Sequence, residues 1–199
     1  MSEAIKDGTG SGKSAKVNNN NKLYTFTTIE TAEKFATKNG NSYTIASGLV
    51  TLTSAGESGI FYLKNNESCD LHVSQIVTSL GPSTGGSSTD ANLIRIYRNP
   101  TTGTLISTAT AGPVKCNRNF GSSNTLTADA YVGAEAETIT DGVVHSQVLM
   151  PSGGDARDLA IDETLTPGAS IALSVEPQDS NTSMKVMIEV LCFLEDENE

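Results

Sequence analysis

At 199 residues, 37% of them hydrophobic, the chain is long enough for one domain with a proper core plus an extension. A formal charge of −10 argues against general nucleic-acid binding. No apolar run approaches the roughly 18 residues of a membrane span, and Ile5 stands almost alone among polar neighbours where a signal peptide would need an apolar stretch, so a soluble protein made in the cytoplasm is expected.

Residues 1–24 read as an extended N-terminal arm, 25–194 as a β domain and 195–199 as a solvated acidic tail. The arm contains Gly8-Thr9-Gly10-Ser11-Gly12-Lys13-Ser14, which has the look of a phosphate-binding loop. That loop needs its first glycine at position 7, where Asp7 would face the phosphates with a carboxylate. It also needs a buried strand before it and a helix after it. Here only Met1–Lys6 precede it, and the tract Asn18–Asn21 neither starts nor continues a helix well. A flexible Gly/Ser/Asn-rich arm is the better reading. Its four lysines, Lys6, Lys13, Lys16 and Lys22, outnumber Glu3 and Asp7, so residues 1–22 carry +2 and the remainder −12. A basic arm on an acidic body suits docking on an acidic protein surface.

Residues 29–38 (IETAEKFATK) place Ile29, Ala32, Phe35 and Ala36 at helical spacing and predict one short helix. Around it lie short β-rich runs separated by Gly, Pro, Asn and Ser clusters. Residues 23–27 have high β-propensity. Residues 43–45 and 49–53 flank Ser47-Gly48, a predicted tight turn. Residues 59–64 and 71–78 suggest a hairpin, with Leu71, Val73 and Gln75 on one face. After a long polar loop at 81–88, the strand 93–98 is expected to pair with 104–108 across Thr101-Thr102-Gly103. Residues 126–131, 143–149 and 171–175 continue the series. In the last strand Met184, Val186, Ile188, Val190 and Cys192 alternate with a second face that becomes apolar at Leu191 and Phe193, which predicts a central strand. Roughly ten strands without interleaved helices imply an antiparallel β-sandwich, jelly-roll-like at this length, with an immunoglobulin-like sandwich as the alternative.

Chemistry-bearing groups are few. Cys69, Cys116 and Cys192 show no CxxC or Cys/His spacing and read as small buried hydrophobes or free thiols, with crosslinking between subunits left open. His72 and His145 sit in predicted strands. Pairing of His72 with Cys69 or Asp70 would need special geometry, so a satisfied strand histidine is expected. Asp155, Asp158, Asp162 and Glu163 match no EF-hand loop and have Arg157 among them, so solvated charges are the reading, with Ca²⁺ as the alternative. Residues 117–121 (NRNFG) read as a loop or as a partner contact.

Several segments together carry a resemblance. They are residues 7–12 (DGTGSG), Ala15-Lys16-Val17 with Asn20 or Asn21 and Leu23, and the stretches 62–67, 81–86, 98–104 and 117–122. Residues 129–131, 140–142, 181–184 and 194–196 fit the same pattern. Across nearly its whole length the chain resembles tailed-bacteriophage virion structural proteins of the capsid decoration (cement) or auxiliary type. The resemblance implies a small β-sandwich, commonly trimeric, without catalytic residues or a cofactor. It also implies location in the virion, with the capsid exterior favoured and the major capsid protein or neighbouring virion subunits as partners. No nucleic-acid or membrane partner is expected. The contact would run through the arm residues Ile5, Lys6, Asp7, Gly8, Gly10, Gly12, Lys13, Lys16, Val17 and Leu23. The alternative within the virion is a tail, baseplate or head-fibre component with a receptor- or glycan-binding sandwich, which the absence of Trp weighs against. An enzyme, such as a nucleotide hydrolase or glycosidase, is the third reading.

Overall fold

A computed structural model of the protein describes residues 30–53, 56–81, 91–107, 112–153, 156–159, 162–178 and 183–195. The chain divides into two units, Met1–Thr31 and Ala32–Glu199, and the architecture below is that of the second. The arm, with the phosphate-loop-like run and every arm residue named above, lies outside the described residues, as does the predicted strand 23–27.

The second unit opens with helix α1 (Ala32–Lys38), followed by β1 (Ser42–Ala46), β2 (Val50–Leu52), β3 (Ser58–Asn65), β4 (Leu71–Leu80) and β5 (Ala91–Arg98). Then come the short helix α2 (Thr104–Ser107), β6 (Lys115–Asn117), β7 (Ala128–Val132), β8 (Val143–Pro151), β9 (Arg157–Leu159), β10 (Glu163–Leu165), β11 (Ser170–Glu176) and β12 (Met184–Leu194). Among the described residues the strands form two antiparallel sheets. One runs β10-β4-β12-β1-β6, with β2 added to β12 and β9 to β4; the other runs β7-β3-β11-β5-β8. Without β6 and β7, the orders β1-β12-β4-β10 and β3-β11-β5-β8 are those of an eight-stranded jelly roll, in which the chain alternates between the sheets except at β5 and β8, which pair within one. The jelly-roll-like sandwich expected from the sequence is the observed fold.

The core lies between the sheets. Tyr43, Ile45, Leu71, Val73, Ile76, Val186, Ile188 and Val190 from one layer meet Phe61, Leu63, Ile94, Ile96, Leu173 and Val175 from the other. Strand β12 is central, paired with β4 on one side and with β1 and β2 on the other, as its apolar second half predicts. Both β3 and β11 are buried almost throughout because their outer face is covered too. There Tyr62, Tyr97 and Ala172 form a second cluster with Leu105 of α2, joined by Ile106, Tyr131 and Ile139.

Four local expectations are corrected. Residues 59–64 and 71–78 do not form a hairpin: β3 pairs with β7 and β11, β4 with β12, β9 and β10. The connection crosses between sheets and is pinned by the buried Asn65, whose Nδ2 donates to the carbonyls of Cys69 (2.9 Å) and Leu165 (2.8 Å). Residues 104–107 are helical rather than a strand, because β5 is already flanked by β11 and β8 and has no free edge to offer. Ser47-Gly48 is not a hairpin turn; β1 and β2 both pair with β12, and Ser47 continues that edge by bonding Ile188 through N (2.8 Å) and Oγ (2.9 Å). Finally, a bulge in β4 between its pairings with Leu191 and Cys192 shifts the alternation. Leu71 and Val73 face the core as expected, but Gln75 leaves that face and Ile76, Thr78 and Leu80 take it over.

The predicted helix is observed, shortened to Ala32–Lys38, and its end is specific. Asn41 N donates to Ala36 O (2.8 Å) and Gly40 N to Thr37 O (3.1 Å), the Schellman pattern. Gly40 has φ +76°, and an added Cβ would lie 2.1 Å from Ser122 Oγ, so both conformation and space require glycine there.

Candidate functional site

The most constructed surface feature is the loop after β6, the NRNFG segment. Asn117 Nδ2 donates to Gly40 O at 2.7 Å and to Asn124 O at 3.1 Å, while its Oδ1 accepts from Asn119 N at 2.9 Å. The side chain of Asn119 repeats the device one step on: Oδ1 accepts from Gly121 N (3.1 Å) and Nδ2 donates to Lys38 O (2.9 Å). Such Asx bonds replace backbone pairing where no strand continues. Arg118 ties the base of the loop to α1 and β1, ion-paired with Glu33 and hydrogen-bonded to Ser42 Oγ (3.2 Å), with its own N–H on Ser42 O (2.8 Å). At the tip, Phe120 is 100% exposed. A side chain worth some 2–3 kcal/mol on burial is thus held in water by a loop with little freedom to fold it away. Beside β6, Val114 is also largely exposed, as is Leu49 between β1 and β2.

The other sequence candidates resolve into structural roles or solvated loops. His72 is a satisfied strand histidine: Nε2 lies 2.9 Å from Glu195 Oε2, Nδ1 3.0 Å from Thr164 Oγ1, and the ring stacks on Phe193 with centroids 5.1 Å apart. Its partners come from β10 and the end of β12, not from Cys69 or Asp70, because the sheet register sets them there. Glu195, the described residue of the predicted tail, also donates its N–H to Asp70 O (3.2 Å) and so belongs to the sheet edge. Asp155 lies outside the described residues; Asp158 bonds Gln75, and Glu163 Oε1 sits 2.7 Å from His145 Nε2. Among the described residues no group of three acids, histidines or cysteines converges as a metal site.

That His145–Glu163 contact spans the two sheets at the mouth of a cleft of about 350 Å³ between β8 and β10. The buried Ile96, Leu165 and Ile171 line it together with Arg98. On the outer face of the smaller sheet, Arg95 lies between two carboxylates. Nη2 is 2.6 Å from Glu176 Oε2, and Nη1 is 3.0 Å from Glu57 Oε2 without hydrogen-bond alignment. Glu57 Oε1 accepts from Tyr97 OH and Ser174 Oγ, each at 2.5 Å. Burial, followed by the carboxylate partner, pushes the Tyr97 phenol up to about 12. The arrangement clasps β5 and β11 to the segment before β3 and keeps the phenol neutral. The sequence alone does not reveal this network, because Glu57, Arg95, Ser174 and Glu176 meet only across strands.

Close by, Asp141 caps the residues 101–104 turn, accepting from the backbone N–H of Thr101 (2.8 Å) and Thr102 (2.9 Å) and from Thr101 Oγ1 (2.5 Å). These bonds hold its carboxyl down at about 2. A smaller hollow of about 210 Å³ contains the stacked Tyr62 and Tyr131 (centroids 5.4 Å apart) with Lys64 and Asp129.

No family model matches the chain, and no curated protein matches it. Among solved structures the chain is similar to the crystal structure of a Yersinia pseudotuberculosis-derived mitogen, at 12% identity over 80% of this chain and 91% of that one, with a TM-score of 0.26.

Proposed function

We propose that the protein is a non-enzymatic virion structural protein that docks on an assembled protein lattice, a capsid decoration (cement) protein. The observation that carries this reading is Phe120: a fully exposed aromatic on a loop braced by asparagine side chains is a preorganised anchor for a partner surface. Loss of loop freedom on binding is small when the loop is already fixed, so more of the ring's burial is retained as affinity. The sequence resemblance supplies the kind of partner, and the charge division suits an acidic protein surface for the arm. A protein that binds only the assembled lattice stabilises it by mass action. Jelly rolls serve in both capsid and lectin domains, so the fold by itself does not choose between them.

The test is cosedimentation of purified protein with capsids lacking it. Wild type is expected to saturate the capsids, while deletion of residues 1–22 and Phe120→Ala each reduce binding at least about tenfold, the loss of one hot-spot aromatic or more. Undiminished binding by both variants refutes the reading.

One observation favours the tail or fibre alternative: Tyr131, half-buried and stacked on Tyr62 beside Lys64 and Asp129, offers an aromatic and two charges in one hollow. Saturable glycan binding by the isolated protein, lost in Tyr131→Ala, would promote that alternative over capsid decoration.

A further inference from the structure

We infer that α1 and the loop after β6 form one docking face with divided roles: its cations steer the protein onto an acidic protein surface, and Phe120 then locks into an apolar pocket there. The inference rests on the docking reading above and names the chemistry of the surface that reading requires.

Between Asp90 and Asp129, residues 91–128 contain no Asp or Glu, in a chain that has 23 of them. The Phe120 loop lies inside this run, and Lys115 and Arg118 stand there with no acid in their own stretch. The fold sets α1 beside them. Asn119 Nδ2 donates to Lys38 O (2.9 Å) and Asn124 Nδ2 to Asn39 O (3.3 Å). Helix α1 buries Ala36, so Lys34 and Lys38, each two positions from it, lie on the opposite face, and both are exposed. Four cations thus share this end of the domain, and the acids that approach it are engaged: Glu33 by Arg118, and Glu67 by the N–H of Thr127.

That charge pattern selects the partner. With a net charge of −10, the body repels an acidic surface in most orientations, and this face is where such a surface can approach. The cations supply field more than phosphate contacts, because Arg118 is committed to Glu33 and Ser42, and Lys115 Nζ donates to Ala128 O at 2.7 Å. A nucleic-acid strand therefore fits poorly. So does a bilayer, where binding scales with buried apolar area and the tip offers one ring among asparagines. A protein pocket closes round a single aromatic, and carboxylates at its rim complement the lysines.

Rim charges act mainly on association and its salt dependence, whereas a buried anchor acts on dissociation. Kinetics of the full chain on immobilised capsids lacking it, at low and high salt, test this division. Lys34→Glu/Lys38→Glu is expected to slow association at least about tenfold at low salt, with the gap closing at high salt. Lys34→Gln/Lys38→Gln should fall between that variant and wild type, and it carries the test should the charge reversal unfold the helix. Phe120→Ala should speed dissociation at least about tenfold while associating within about twofold of wild type.

Charge variants that associate at the wild-type rate overturn the inference, and the docking reading survives if Phe120→Ala still dissociates faster. A Phe120→Ala defect confined to association overturns the division of roles. Wild type that binds no capsid at either salt refutes the docking reading and this inference with it. Binding of the isolated protein to phosphatidylserine vesicles or to poly(dT), weakened by the charge variants, overturns the assignment of an acidic protein as partner.

Discussion

Replacing Asn117 with alanine should separate the bracing of the NRNFG loop from what the loop presents. The side chain makes three hydrogen bonds, to Gly40 O, to Asn124 O and from Asn119 N, at 2.7, 3.1 and 2.9 Å. A net value of about 0.5–1.5 kcal/mol each gives about 1.5–4.5 kcal/mol for the three. Water can reach the groups facing Asn124, so a loss of about 2 kcal/mol is the working figure. For a domain of this size that lowers the melting temperature by about 4–8 °C. Phe120→Ala is the matched control, since the ring is fully exposed and its removal should change stability by no more than about 0.5 kcal/mol. Calorimetry measures both, and capsid cosedimentation then reports function. Both variants should bind more weakly, Phe120→Ala because the anchor is gone and Asn117→Ala because the anchor is no longer held. An Asn117→Ala melting point within a degree of wild type would refute the bracing argument. So would a Phe120→Ala variant destabilised as much as Asn117→Ala, since the ring would then be packing against its own domain.

Asp141 should titrate near 2, far below its usual value, because its folded-state bonds to Thr101 and Thr102 favour the carboxylate. A folded-state value below the unfolded one means that this stabilisation is present above the ordinary carboxyl value of 3.8 and fades as pH falls toward 2. Carboxyl NMR with the amide shifts of Thr101 and Thr102 follows it, and a midpoint near 3.8 would contradict the geometry. Among the thiols, the exposed Cys116 should react at once with an aromatic disulfide, whereas the fully buried Cys192, pushed up to about 12, should react only as the domain opens. Peptide mass spectrometry distinguishes the two; equal rates in folded protein would show that the β12 core is open to reagent.

Much of this molecule is legible from its residues alone. Period-two alternation marks β4, β5 and β12, punctuation by Gly, Pro and Asn marks where strands stop, and the paucity of helical periodicity leaves an antiparallel sandwich as the economical packing. The doubly apolar end of β12 announces its central place, because only a strand covered on both faces gains from burying Leu191 and Phe193 as well as Val190 and Cys192. These features are local, or nearly so, and are written in neighbouring residues.

What the tertiary structure decided is everything that depends on which strand lies beside which. Proximity along the chain suggests that 59–64 pairs with 71–78, yet the jelly roll sends them to opposite layers, since Asn65 anchors the crossing to Leu165, a hundred residues away. The bulge in β4 moved Gln75 off the core face, and residues 104–107 became a helix once both edges of β5 were taken. The same limit hid the candidate sites. NRNFG is visible as a polar turn with an aromatic, but that its asparagines clamp the end of α1 and hold Phe120 in water follows from contacts with Lys38 and Gly40, nearly eighty residues earlier. The acid-free run 91–128 likewise reads as ordinary strands and loops until the fold sets its NRNFG segment beside α1. Periodicity and turn chemistry are carried by near neighbours, whereas pairing, edges and bracing are settled by the burial and hydrogen bonding that the whole domain can satisfy at once.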